Sequence, residues 1–251
     1  MKLFEEYKIW LKETNHKDNT VNNHVKVLKT IFNQAVKWEI LEKNPVRHVG
    51  NIGVEDEKPI VCLDTPEKFE LFFSRCKVMK PEYFNQYYCA AKLGLRWKEV
   101  VFLEWDDIDF ENRVILIRKK KNFTPKGRTR KDRKPKTRVI AMPADVVEIL
   151  RGLERKQARV FLKDDKPMDP KDKTFRNWII AIVRGTQLEG MSRMHELRHT
   201  TGHILGLTHS LHEIKEFLGH TDIRTTERYV RVGDEAKRSM ARALERFGNV
   251  C

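Results

Sequence analysis

Apolar residues recur at helical spacing from the start of the chain. MKLFEEYKIWLKE reads as an amphipathic helix over 2–13. In a second helix over 20–40, Val21, Val25, Leu28, Ile31, Phe32, Ala35 and Val36 fall on one face. Asn44-Pro45 stops this unit, and the stretch from Val46 to Leu63, with Gly50, Gly53, an acidic patch and Pro59, reads as a linker. Asp64-Thr65-Pro66-Glu67 then opens a new helix, supplying an N-cap, a proline early in the first turn and a carboxylate near the positive helix end. Helices are predicted over 65–77, 81–93 and 97–104. The period shortens to a β-type pattern at Val114-Ile115-Leu116-Ile117 and again at Val139-Ile140-Ala141-Met142. A long basic segment joins these two runs as an extended hairpin. Pro143 begins a helix to about 154, and further helices are expected over 171–184, 194–206, 210–218, 222–231 and 234–247. The pattern predicts a mainly α fold with a small antiparallel β-sheet (α+β). It divides the chain into a partial helical module (1–45), a linker (46–63) and a larger domain (64–251).

Composition adds a partner to this outline. Of 251 residues, 40% are hydrophobic, enough for a packed core, and the formal net charge is +14. A surplus of that size favours a polyanion, because each Lys or Arg near a phosphate releases a condensed counterion. The charge is concentrated in the hairpin, where residues 118–138 hold twelve Lys or Arg against one acid, Asp132. Self-repulsion holds such a segment open until it meets phosphates, so Lys119, Lys121, Lys126, Arg128, Arg130, Lys131 and Arg133 are candidate DNA contacts. Phe123 is the segment's one aromatic residue, which argues against base stacking as the binding mode. Cys62, Cys76, Cys89 and Cys251 are widely spaced and read as reduced thiols. The acidic residues of the first helix exclude a signal peptide, and no apolar run approaches membrane-spanning length. A cytoplasmic, DNA-associated protein is expected.

One motif points elsewhere. His195-Glu196-Leu197-Arg198-His199 matches the H-E-x-x-H zinc protease pattern, in which two histidines one helical turn apart share a face and chelate the metal. The extended form of that motif needs a histidine where Leu205 stands, and His203 falls two residues early. Glu213 or Glu216 would have to supply a distant third ligand.

The same helix supports a second reading. His195 and Arg198, three apart, also share a face. Leu218-Gly219-His220 and then Tyr229 follow downstream, and Gly94-Leu95-Arg96-Trp97-Lys98-Glu99-Val100 lies upstream. In this order and at these intervals, GLRWKEV, HELRHT, LGH and a tyrosine resemble the signature of the tyrosine recombinases, the phage-integrase-type enzymes. The resemblance covers about residues 64–248. It extends faintly to the front, where Asn19-Thr20, a striped helix and Asn44-Pro45 look like the second half of that family's DNA-clamping module. The first half has no counterpart in this sequence, which leaves open a truncated chain, a minimal enzyme or a start further upstream.

The resemblance implies a tyrosine-recombinase catalytic domain preceded by a short helical core-binding (SAM-like) segment. It implies a site-specific recombinase or integrase working through a 3′-phosphotyrosyl intermediate, with no metal and no other cofactor. Attack on a phosphodiester adds negative charge to the non-bridging oxygens, and planar guanidinium groups match two oxygens at once. Arg96 and Arg198 fill that role, and Tyr229 attacks phosphorus. By family analogy His195 and His220 bind the phosphate and manage protons. A hairpin lysine protonates the departing 5′-oxygen: counting forward from the first strand points to Lys119, Lys120 or Lys121, of which Lys120 is chosen, with Lys134 and Lys136 beside the second strand as the less favoured alternatives. Glu99, one turn after Arg96, orients it or a neighbour. The implied partners are double-stranded DNA at a specific site and a homotetramer on two such sites, in which helix 234–247 docks on a neighbouring protomer. Accessory DNA-bending proteins are a further class of partner. Two rival readings are a zinc metalloprotease built on HELRH and a catalytically silent DNA-binding protein of the same fold.

Overall fold

Helices α1 (Lys2–Glu13) and α2 (Asp18–Lys37) pack together in the first of two units, in a computed structural model that describes residues 2–53, 60–126 and 137–220. The apolar stripe of α2 places Val25 in a small core with Val46 and Val49, edged by Phe4, Leu28 and Phe32. Val46 and Val49 lie in the stretch read above as linker. They are held because Asn44, whose side chain donates to Lys29 O (3.1 Å) and Asn33 Oδ1 (2.7 Å), accepts from Val46 N (2.8 Å) and turns the chain back. Asn22 then pins Ile52 through both its N–H and its carbonyl. The chain divides between Pro59 and Ile60, and the second unit is described by itself.

Helix α3 (Pro66–Met79) starts where its sequence signal lies, with the Thr65 hydroxyl accepting from Lys68 N. A turn of 3-10 helix at Pro81–Tyr83 leads into α4 (Phe84–Leu93). Helix α4 is apolar nearly all round, with Tyr87, Cys89, Ala90, Ala91 and Leu93 buried. Its small residues let it pack closely along α8 (Met194–Gly206), where the Thr201 hydroxyl donates to the Ala91 carbonyl. Gly94 ends α4 in the left-handed region (φ 59°), and α5 (Trp97–Val101) follows at once.

The β-type runs form a three-stranded antiparallel sheet of β1 (Ile108–Asp109), β2 (Val114–Ile117) and β3 (Arg138–Ala141), in that order. Ile115 pairs with Ile140 and Ile117 with Arg138. Alternation turns Ile115, Ile117 and Ile140 into the core and leaves Val139 outside. Arg138 therefore also points inward. The turn closed by Lys120 and Phe123 follows β2, and Phe123 stacks on Phe102 at the end of α5.

Helices α6 (Ala144–Arg151), α7 (Thr174–Val183) and α9 (Leu211–Leu218) complete the described residues, with a two-stranded hairpin of β4 (Leu162–Lys163) and β5 (Lys166–Pro167). The helices expected over 222–231 and 234–247 lie outside the described residues. Among the described residues no helix is long and apolar enough to cross a membrane.

The meeting of α4, α8 and α9 is tightest at Gly94, where a Cβ would stand 2.6 Å from Leu218 Cδ2 and 3.3 Å from the Thr201 side chain. Gly94→Ala combines a left-handed backbone with overpacking and should destabilise the second unit by about 2 kcal/mol. A chemical-denaturation midpoint unchanged from the parent would refute this packing.

Candidate active site

Two of the residues singled out by sequence, Arg96 and Arg198, meet around one buried carboxylate. Glu99, on the first turn of α5, caps its own helix by accepting from Arg96 N (2.8 Å) and pairs with the Arg96 side chain (Nη1 to Oε1, 2.9 Å). From β3, Arg138 grips the same carboxylate with both terminal nitrogens, at 2.8 Å to Oε1 and 2.7 Å to Oε2. From α8, Arg198 Nη1 lies 4.0 Å from Oε2. The Glu99 side chain is 1% exposed, that of Arg198 0%, Arg138 5% and Arg96 17%. Arg96 is thus the most open of the three.

Two helix ends complete the arrangement. Arg198 donates to the carbonyls of Gly94 (2.6 Å) and Leu218, and Arg96 Nη2 donates to the carbonyl of Gly219 (3.1 Å). These carbonyls cluster at the C-termini of α4 and α9, where left-handed glycines close the helices and the helix dipole is negative. Gly219 (φ 66°) is needed for a second reason, since a Cβ there would stand 2.9 Å from Arg138 Cδ.

The electrostatics follow from burial and charge. Burial alone would raise the Glu99 pKa, but the hydrogen bonds and charge of Arg138, then the charges of Arg96 and Arg198, hold it down at about 2. Three guanidinium groups against one carboxylate leave the site electropositive. Desolvation, followed by the positive charges of Arg198 and Arg96, lowers His195 to about 4 and His220 to about 3. Both rings are neutral at neutral pH. His195 stands in the first turn of α8 and is open to solvent, whereas His220, directly after Gly219, is buried.

The lysine falls elsewhere. The Lys120 ammonium donates to Asp107 Oδ2 and the Phe102 carbonyl, with Glu104 3.5 Å away. The turn closed with Phe123 directs it back onto the segment before β1, where Asp107 also binds Arg118 (2.8 Å). Counting along the strand does not reveal this turn. Lys126, three residues beyond Phe123, is exposed, and its charge is among those that act on His195. Lys119 and Lys121 are also exposed. Tyr229, Arg128, Arg130, Lys131 and Arg133 lie outside the described residues.

The HELRH pattern is engaged in a different way. The Glu196 carboxylate accepts from the backbone N–H groups of Ser192 and Arg193, capping α8, and the rings of His195 and His199 meet edge to face at 4.6 Å. Among the described residues no group of three His, Cys, Asp or Glu side chains is placed to hold a metal ion.

Comparison with known proteins agrees with this arrangement. Residues 86–236 match the phage integrase family, a span that includes Arg96, His195, Arg198, His220 and Tyr229, and residues 1–52 match the phage integrase SAM-like domain. The chain belongs to the phage integrase family, the tyrosine recombinases. It is 27% identical over 239 residues to the ICEBs1 integrase of Bacillus subtilis (strain 168), an alignment covering 86% of this chain and 62% of that protein's length. To tyrosine recombinase XerC of Chlamydia trachomatis serovar L2 it is 24% identical over 251 residues, covering 91% of this chain and 71% of that one. Its fold matches the Tn1549 transposon integrase in complex with transposon right end DNA (TM-score 0.78, 21% identity, 96% of this chain and 84% of that chain). It also matches a lambda integrase tetramer bound to a Holliday junction (TM-score 0.67, 13% identity, 92% of this chain and 64% of that chain).

A histidine with a native pKa below its ordinary 6.5 contributes stability above pH 6.5 that is lost as pH falls toward the native value. The parent should therefore lose stability from pH 6.5 down to about 4.5, a window above most carboxylate titrations. His220→Gln should flatten that slope, since the open His195 contributes less. Equal slopes for the two proteins in urea titrations at each pH would rule out a depressed His220.

Proposed function

We propose that this chain is a site-specific DNA recombinase that cuts and rejoins strands through Tyr229. The observation that carries the reading is the convergence of Arg96 and Arg198 on Glu99, bordered by His195 and His220. Two guanidiniums held together by a buried counter-charge are what a phosphodiester needs as its non-bridging oxygens gain charge. The Tyr229 hydroxyl, with a free pKa of about 10, loses its proton as its oxygen bonds to phosphorus. The bond from phosphorus to the 5′-oxygen breaks, and that oxygen takes up a proton. A second 5′-hydroxyl then attacks the 3′-phosphotyrosyl link, loses its own proton and returns one to the tyrosine. The phosphate ester bond is exchanged at each step, so neither a metal nor another cofactor is required.

The proton donor to the 5′-oxygen is Lys126 in this reading. Lys120 is engaged by Asp107, whereas Lys126 is exposed and acts on His195. The partner is duplex DNA at a specific site, gripped by the basic hairpin residues Lys119, Lys121, Lys126, Arg128, Arg130, Lys131 and Arg133. The fold shared with an integrase tetramer on a Holliday junction supports a homotetramer on two sites. Helix 234–247 would link neighbouring protomers, with accessory DNA-bending proteins as further partners. The chain would act in the cytoplasm, on DNA. Residues 1–45, together with Val46, Val49 and Ile52 packed or pinned against them, serve as the clamping module, the stretch from there to 63 as the linker and 64–251 as the catalytic domain.

A pool of nicked duplexes with a randomised centre tests the reading. The parent should form a protein–DNA adduct that survives denaturation, and sequencing the trapped DNA defines the site. Tyr229→Phe should form none while still shifting the recovered duplex on a native gel; a surviving adduct would move the nucleophile elsewhere.

For the lysine, Lys126→Ala should slow cleavage by about 100-fold or more. Replacing the leaving 5′-oxygen by sulfur should restore the rate, because a thiolate (free thiol pKa about 8.5) departs without a proton. If Lys120→Ala alone shows that restoration, the donor is Lys120 after all.

A further inference from the structure

We infer that Arg138 is a positioning residue for strand cleavage, aligning Arg96 and Arg198 through its two-pronged grip on Glu99. The inference rests on the proposed role of those two arginines as the phosphate cradle.

Three observations carry it. Both terminal nitrogens of Arg138 are engaged by Glu99, and its side chain is 5% exposed, so the fork that would grip a phosphate is already occupied. Arg138 acts on the cradle rather than on DNA. It also reaches Arg96 by a second route: its Cδ crowds the Cα of Gly219, whose carbonyl receives Arg96 Nη2 at 3.1 Å. The next residue is His220. One side chain thus braces the carboxylate between the guanidiniums and the loop that presents the second histidine. Finally, Arg138 opens β3 at the foot of the basic hairpin, on the inward side with Ile140 and opposite Ile117. The strand that follows the basic segment in sequence is the strand that carries the brace.

Without Arg138, Glu99 loses two charge-assisted hydrogen bonds and, among the described residues, keeps Arg96 at 2.9 Å and Arg198 at 4.0 Å as ion-pair partners. The carboxylate is then free to follow Arg96, and the spacing of the two cradle arginines is no longer set. Small displacements of such groups are costly in rate, since about 1 Å of misplacement costs on the order of 100-fold.

The test uses the full chain and the duplex recovered as its target, with either a normal scissile phosphodiester or a methylphosphonate there. The methylphosphonate replaces one charged oxygen by methyl, so its transition state carries one negative charge fewer and depends less on aligned guanidiniums. Arg138→Met should cleave the phosphodiester about 100-fold more slowly. Duplex affinity should be unchanged, and most of the deficit should vanish on the methylphosphonate. Arg138→Lys keeps the charge but not the fork and should fall between parent and Arg138→Met.

Arg96→Ala is the reference. If its deficit is relieved by the neutral phosphate and that of Arg138→Met is not, Arg138 supports the fold alone and the inference fails while the cradle stands. If Arg96→Ala is not relieved either, the cradle reading itself fails. An Arg138→Met protein that cleaves both substrates at the parent rate would also overturn the inference.

Discussion

Glu99 is a carboxylate buried among three guanidinium groups, and much of the candidate site is arranged to make that possible. A lone buried charge is expensive by several kcal/mol even after the protein relaxes. Glu99 avoids this cost by accepting bonds from Arg96 and Arg138, with Arg198 beside it. The arginines gain as much from the carboxylate. Three like charges this close repel one another, and the central anion offsets that repulsion beside Arg198, whose side chain is 0% exposed and donates to the carbonyls of Gly94 and Leu218. The carboxylate lets cations converge before any phosphate is present, and its single charge leaves a positive surplus for one. Groups held this way need no reorganisation when charge develops on a bound phosphate.

That arrangement explains why the elements meet as they do. Arg96, Arg138 and Arg198 come from the start of α5, the start of β3 and the second turn of α8, which are far apart in sequence and adjacent in the fold. The close contact of α4 with α8 sets the distance between Arg96 and Arg198. The left-handed glycines close α4 and α9 where the carbonyls of Gly94, Leu218 and Gly219 meet the guanidiniums of Arg198 and Arg96.

Much of this was legible in the order of residues. The helices followed from a strong 3.6 period, and His195 and Arg198 from their spacing on one helix. Arg96, His220 and Tyr229 stood out only through resemblance to a family, since single residues of these types are common on any surface. Arg138 is one of twelve cations in the basic segment, and its burial against Glu99 does not show in a charge tally, which treats every cation as solvated. The signal was present: in a strand with Ile140 facing in, the residue two before it must face in as well. The surroundings of Lys120 were hidden for a different reason. Its ammonium is fixed by Asp107, thirteen residues upstream, through a turn that no local pattern announces. Val46 and Val49 read as linker because two isolated valines show no period; their burial depends on the Asn44 turn. The strands β4 and β5, two residues each, are too short for alternation to register.

The positive surplus also bears on the histidines. In the site as it stands, desolvation and the neighbouring arginines favour the neutral rings of His195 and His220. A neutral imidazole can accept a hydrogen bond as well as donate one, so it does not add to the repulsion among the cations. An anion entering the site changes the sign of the local argument, because its charge offsets the guanidiniums and makes protonation of the rings less costly. In the proposed chemistry, negative charge grows as Tyr229 attacks and shrinks as the 5′-oxygen leaves. The rings therefore bind a proton more tightly near the charged transition state than before or after it. Glu99 makes this possible indirectly: by holding the arginines in place without neutralising them, it keeps the histidines poised to respond to the charge of the substrate.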